Sequence, residues 1–258
     1  MYSVDDFKQW CLQRAAIPTI QSLQDVFVST YEIISCDNLF IFFTTKQLIS
    51  VGALSRLLQV DATFKLNWNE LPVLVFGCSD ANRKVHPFGI ALISSDESCD
   101  SYVKLFQSIK NTVFKVTGIQ YEIDYLLSDG AKGITAAKNI EFPGAKRLMC
   151  WAHCIRKIRE HRKMVASHKW ADIDKDILSL QLAFNDQLFQ KGAALLLSKW
   201  RQYTDLHAFC SYFEQQRLIE LPYWSEGAAL GVPSTNNGLE SLNGKIKSQY
   251  TLRNKSSL

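Results

Sequence analysis

The stretch LLQVDATFKLNWNELPVLVFGCSDANRKVHPFGIALISS, Leu57 to Ser95, decides the fold. Its three apolar runs, LLQVDATF, LPVLVFGCSD and HPFGIALISS, are separated by turn-forming segments at Asn67 to Glu70 and at Asp80 to Lys84. Apolar runs of this length with short polar joints read as an antiparallel meander of three strands. Downstream the period changes: Tyr102, Leu105, Phe106, Ile109, Val113 and Val116 fall on one helical stripe, which Gly118 closes. A strand at Tyr121 to Ser128, a short helix from Ala131 to Asn139 and a strand at Lys146 to Ala152 come next. Strand, helix, strand alternation needs crossover connections and hence parallel pairing. The sum is an α/β fold with a mixed five-stranded sheet and flanking helices.

Further out on the C-terminal side, every segment from Cys154 to Leu221 reads as helical, and Gly227, Gly231 and Pro233 interrupt the pattern before a last helix begins near Asn236. An all-helical insertion is therefore expected at about 154–232, within a domain spanning 57–258. Residues 1–56 read as a helical or extended segment packing on that core. In it, Leu39 to Phe43 is one short strand flanked by helices, and Leu48, Val51, Leu54 and Leu58 repeat at helical spacing.

With 47% hydrophobic and 21% charged residues among 258, the composition excludes disorder and low complexity. The net charge of +4 is a mild bias towards polyanions. Seven cysteines without framework spacing read as reduced thiols inside a cell. The start MYSVDDFKQW is acidic where a signal peptide is basic, and nowhere do about 18 apolar residues run together. The expectation is a protein that is not secreted and has no membrane partner. P-loop, dinucleotide fingerprint and nucleophile elbow patterns are all missing from the sequence.

Three acids stand in or at the ends of regular elements: Asp61 inside the first meander strand, Asp129 right after the fourth strand, and Glu240 on the last helix. An unpaired carboxylate between Val60 and Ala62 costs several kcal/mol unless something compensates it. A divalent cation would do so; alternatively, alternation turns Asp61 to an open, solvated face. Asp129 lies in SDGAKGI, at a strand's carboxyl end where α/β ligands gather, or in a plain Asp-Gly turn. On the last helix Leu239, Leu242, Ile246 and Tyr250 make a core stripe, and Asn236, Glu240, Asn243 and Lys247 a second stripe about a quarter-turn away. That second stripe is either the edge of a metal site or an ordinary solvated face. Two carboxylates on neighbouring strands and a third from a helix suit Mg²⁺ or Mn²⁺, as a two-ion site for phosphoryl chemistry.

In RLMCWAHC, Cys150 and His153 supply half of a zinc site, but no second pair follows, so structural zinc is not expected. Core packing of Cys150, and a hydrogen bond from His153 to the site wall, is the expectation. Basic residues cluster at Arg156, Lys157, Arg159, Arg162, Lys163 and Lys169, and again at Lys245, Lys247, Arg253 and Lys255. They read as contacts to a polynucleotide backbone, Arg156, Lys157, Lys245 and Lys247 foremost, or as solvated helix faces.

Taken in order, DATF at Asp61, SDGAKGI at Asp129, CWAH at Cys150 to His153 and NNGLESLNGK around Glu240 resemble the transposase domain of Mutator-like elements, the MULE domain, from about Leu57 to about Tyr250. The resemblance implies an RNase H-like fold and a DDE triad of Asp61, Asp129 and Glu240. These would bind two Mg²⁺ ions, cut a strand at an element's end and activate the freed 3′-hydroxyl for strand transfer. It also implies structural support by Cys150 and His153, DNA as partner in the form of transposon ends and target, a possible homo-oligomer, and action in the nucleus. The zinc-containing DNA-binding module and SWIM-type finger of full transposases have no counterpart in this sequence. The chain is accordingly read as a fragment or truncated copy. Competing readings are a degenerate or domesticated relic that binds DNA or protein without turnover, and an RNase H-like nuclease acting on RNA.

Overall fold

In the computed structural model, residues 4–35, 37–64, 71–94 and 98–250 are described, without the side chain of Tyr250. The chain divides into two compact units: Met1–Leu126, Ala131–Lys146 and Asn237–Leu258 form the first, and Leu127–Gly130 with Arg147–Asn236 the second. The expected turn at Asn67 to Glu70, except for its consequence that the meander continues, lies outside the described residues, as do Arg253 and Lys255.

The elements run α1 (Val4–Gln13), β1 (Val26–Ile33), β2 (Leu39–Thr45), α2 (Lys46–Gly52), β3 (Leu57–Thr63), β4 (Val73–Ser79), β5 (Val85–Ile93), α3 (Cys99–Thr117), β6 (Tyr125–Ser128), α4 (Lys132–Glu141) and β7 (Lys146–Met149). They continue with α5 (Trp151–Glu160), α6 (Ser167–Gln181), α7 (Asp186–Trp200), α8 (His207–Phe213) and α9 (Asn237–Tyr250). The strands form a mixed seven-stranded sheet in the order β1-β2-β5-β4-β3-β6-β7. The meander β3 to β5 is antiparallel, with Asp61 opposite Val75 and Val75 opposite Ile90. Lys146 N–H bonds Asp124 O and Cys150 N–H bonds Ser128 O, so the partners advance together and β7 runs parallel to β6.

The sheet is wider than the five strands expected because the N-terminal segment adds an antiparallel hairpin, β1 with β2, whose β2 pairs with β5. The register of β1 shifts between Val28 and Thr30 at a bulge, and before it Phe27 and Val28, successive residues on opposite faces, are both buried, so the strand lacks the alternation that announces one. The helix expected through Leu58 is also shorter: α2 ends at Gly52, Leu54 is 79% exposed, and Leu57 and Leu58 belong to β3. By contrast α3 ends where its caps dictate, with the Ser98 hydroxyl accepting Ser101 N–H and Gly118 in the left-handed region at φ 75°.

Two layers cover the sheet in the first unit. Val60, Leu74, Phe76, Phe88 and Ala91 face a core built with α3 and α4. The alternate residues Val73 and Val75 pack instead under Leu239, Leu242 and Ile246 of α9, together with Val85 and Leu92. An added Cβ at Gly238 would overlap Val85 Cγ2, whereas one at Gly244 meets nothing within 4 Å. Gly238→Ala is therefore expected to destabilise by about 1–3 kcal/mol through overpacking, since Val85 is stiff at χ1. Gly244→Ala is expected to stabilise by up to about 1 kcal/mol through helix propensity alone. Thermal melts of the two variants should move in opposite directions, and Val85→Ala should relieve the first.

The β4–β5 turn is tied by Asp80, whose Oδ1 accepts Asn82 and Lys84 N–H at 2.9 Å each and whose Oδ2 lies 3.0 Å from His86 Nε2. The His86 hydrogen bond, then the Lys84 amide, hold this carboxyl below its usual range. A depressed folded-state value contributes stability that is present above the unfolded-state value of about 4 and is lost as pH falls through the folded one. Asp80→Asn should thus lower the melting temperature at pH 7 and flatten its decline towards pH 3. A decline as steep as wild type would locate the acid sensitivity elsewhere.

In the second unit α5 to α8 surround one apolar core in which Trp200, Phe209, Phe213 and Trp224 are buried. A π-turn at Glu214–Ile219 follows α8. Among the described residues no helix is long and apolar enough to cross a membrane.

Candidate carboxylate site on the sheet

Asp61 is carried by β3 between Val60 and Ala62, both of which contact the core on the α3 side. Its own side chain, with that of Thr63 two residues on, therefore projects to the opposite face, which α9 covers. An open, solvated face for Asp61 is not what the chain builds: Asp61 is half-buried and Thr63 buried.

Helix α9 brings the partner. With Leu239, Leu242 and Ile246 seated on the sheet, the adjoining stripe turns towards β3, and Asn243 Nδ2 donates to Asp61 Oδ2 at 2.5 Å. Asn243 is 5% exposed. Glu240 lies three residues earlier on the same helix face, half-buried, with its Cβ about 5–6 Å from that of Asn243 by helical geometry. Glu240 thus shares a helix face with the residue that bonds Asp61. Lys247, one turn beyond Asn243, is half-buried, and Lys245 is exposed.

Thr63 Oγ1 and Asn243 Oδ1 are buried oxygens of this layer with no hydrogen-bond partner among the described residues. Asn243 was visible in the sequence as an amide on the Glu240 stripe, but its bond to Asp61 depends on a pairing across 182 residues. Thr63 carried no signal beyond its place in DATF.

In the second unit, Asp129 follows β6 half-buried, its backbone carbonyl accepting from the Arg147 guanidinium and from Ser128 Oγ at 3.2 Å. Cys150 is completely buried at the start of α5, where its Sγ accepts Asn236 N–H at 3.3 Å. A ring nitrogen of His153, one turn along the helix, lies within 4.8 Å of that sulfur. The neighbouring Cys154 thiol is pushed up to about 12 by burial, so it stays protonated at neutral pH and is a packing group.

The basic stretch on α5 is less available than its composition implied. Lys157 pairs with Glu160 at 2.9 Å, Arg159 with Asp174 at 3.0 Å and Lys169 with Asp205 at 2.8 Å. Arg156, Arg162 and Lys163 are exposed and have no ion pair among the described residues.

Residues 57–157 match the model of the MULE transposase domain. The match takes in Asp61, Asp129, Cys150 and His153, while Glu240 and α9 lie beyond it. No curated protein matches the chain.

Proposed function

We propose, on the premise that residues 57–157 are a Mutator-like transposase domain, that this chain is the catalytic part of such a transposase, performing divalent-metal-dependent DNA strand cleavage and strand transfer in the nucleus. Asp61, Asp129 and Glu240 are its carboxylate triad. The observation that carries the reading is the Asn243 bond to Asp61, one helical turn from Glu240, on a sheet face roofed by α9. Support for Asp129 is its SDGAKGI motif within the matched region. The contiguous strands β5-β4-β3-β6-β7, a meander followed by a parallel crossover pair, support an RNase H-like core to which β1 and β2 are additions.

The residues fit a hard cation. Asp61 and Glu240 offer carboxylate oxygens and Asn243 a carboxamide oxygen, a donor set suited to Mg²⁺ or Mn²⁺. Such ions, when bound, supply Lewis-acid activation of the attacking oxygen and charge for the leaving one. The protein's own part is to hold the ligands: Asn243 fixes the Asp61 carboxylate through a charge-assisted hydrogen bond. The exposed Arg156, Arg162 and Lys163 hold the phosphate backbone without reading sequence. In cleavage, water oxygen bonds to phosphorus as the bond to the 3′-oxygen breaks; in strand transfer, that 3′-hydroxyl oxygen bonds to a phosphorus of the target strand as the bond to the target's own 3′-oxygen breaks and that oxygen leaves as a hydroxyl.

The test is nicking of supercoiled DNA by the purified protein with Mn²⁺, beside Asp129→Asn. Wild-type nicking that the variant lacks is expected. Equal nicking by both, or DNA binding by wild type with no nicking, overturns the proposal, the latter outcome in favour of a non-catalytic relic.

A further inference from the structure

Asn243 does more than cap a carboxylate. Its side chain is 5% exposed, its amide nitrogen is spent on Asp61 Oδ2, and its amide oxygen is buried with no donor among the described residues. The orientation is fixed by chemistry, because turning the amide over would set its oxygen against a carboxylate oxygen. A buried carbonyl with no partner is costly, and a leucine of similar volume would avoid that cost while keeping α9 packed. Beside it, Thr63 Oγ1 is a second buried oxygen without a partner, on the same face of β3 as Asp61.

We infer that Asn243 is a positioning residue and an oxygen donor of the cation site: Nδ2 locks Asp61, and Oδ1 faces the divalent ion or the water bound to it. The inference rests on the reading of Asp61 and Glu240 as cation ligands, and it adds a neutral ligand that the acid triad does not contain. A neutral oxygen brings coordination without the repulsion that another carboxylate would add before the ion arrives.

The experiment is Mn²⁺ binding by the full chain, read from the electron paramagnetic resonance of free Mn²⁺, for wild type, Asp61→Asn, Asn243→Asp and Asn243→Leu. Circular dichroism in EDTA checks folding, and Asn243→Ala replaces the leucine variant if leucine disturbs it. Expected are affinity weakened about 10- to 100-fold in Asn243→Leu or Asn243→Ala, the range for losing a group that orients a ligand. Affinity should fall less in Asn243→Asp, which loses the Nδ2 lock on Asp61 but keeps an oxygen donor for the ion. Wild-type affinity in the apolar variant, with binding lost in Asp61→Asn, overturns the role of Asn243 and leaves the carboxylate site standing. Equal loss in Asn243→Asp and the apolar variant also overturns it. No Mn²⁺ binding by wild type overturns both.

Discussion

Asp61→Asn is expected to reduce metal-dependent nicking by about 10³-fold or more, the scale seen when a charge-stabilising group of a reacting site is removed. It should leave the folded state nearly as stable as before. The substitution is isosteric, and the asparagine oxygen can still accept from Asn243 Nδ2, so a charge-assisted bond becomes a neutral one and not an orphan. That loss is about 1 kcal/mol. Melts in EDTA should thus agree within about 2–4 °C, which is what 1 kcal/mol is worth at this chain length. A fall well beyond that would make Asp61 a structural acid. With Mn²⁺ present the two proteins should part, wild type gaining stability by mass action and the variant little.

How far the sequence reached depends on the range of the interactions involved. Local signals held: the Ser98 and Gly118 caps bound α3, and the 3.6-residue stripe of Leu239, Leu242 and Ile246 is the face by which α9 docks. The meander was legible because its strands are nearly continuous apolar runs. The N-terminal hairpin was not, because β1 buries Phe27 and Val28 on its two faces and then shifts register at a bulge near Ser29, so no period of two shows. At the site, Asp61 was legible as an acid in an apolar strand, but its facing was open until α9 was seen to cover that layer. The availability of Arg159 was illegible for the same reason, since its partner Asp174 comes from α6, whereas the Lys157 pair with Glu160 is local to α5.

The second unit should depend on Trp224 more than on any single charge. Its indole, 1% exposed, stacks on Trp151 of α5 at 5.5 Å and meets Phe189 of α7 edge-on at 4.8 Å and Phe213 of α8 at 6.2 Å. Its Nε1 donates to Arg217 O at 2.7 Å, which satisfies a carbonyl of the π-turn. Trp224→Ala removes a side chain that touches three helices and leaves that carbonyl buried without a donor. The expected cost is about 3–5 kcal/mol for the ring and about 1–3 kcal/mol more for the orphaned carbonyl. Against a total of about 5–15 kcal/mol for a domain, that is enough to unfold much of this unit near 37 °C. Trp224→Phe separates the contributions, since it keeps most ring contacts and loses only the donor. It should therefore cost about 1–3 kcal/mol. Urea titrations followed by near-ultraviolet circular dichroism measure both. If alanine costs no more than phenylalanine, the hydrogen bond and not the aromatic packing ties these helices together.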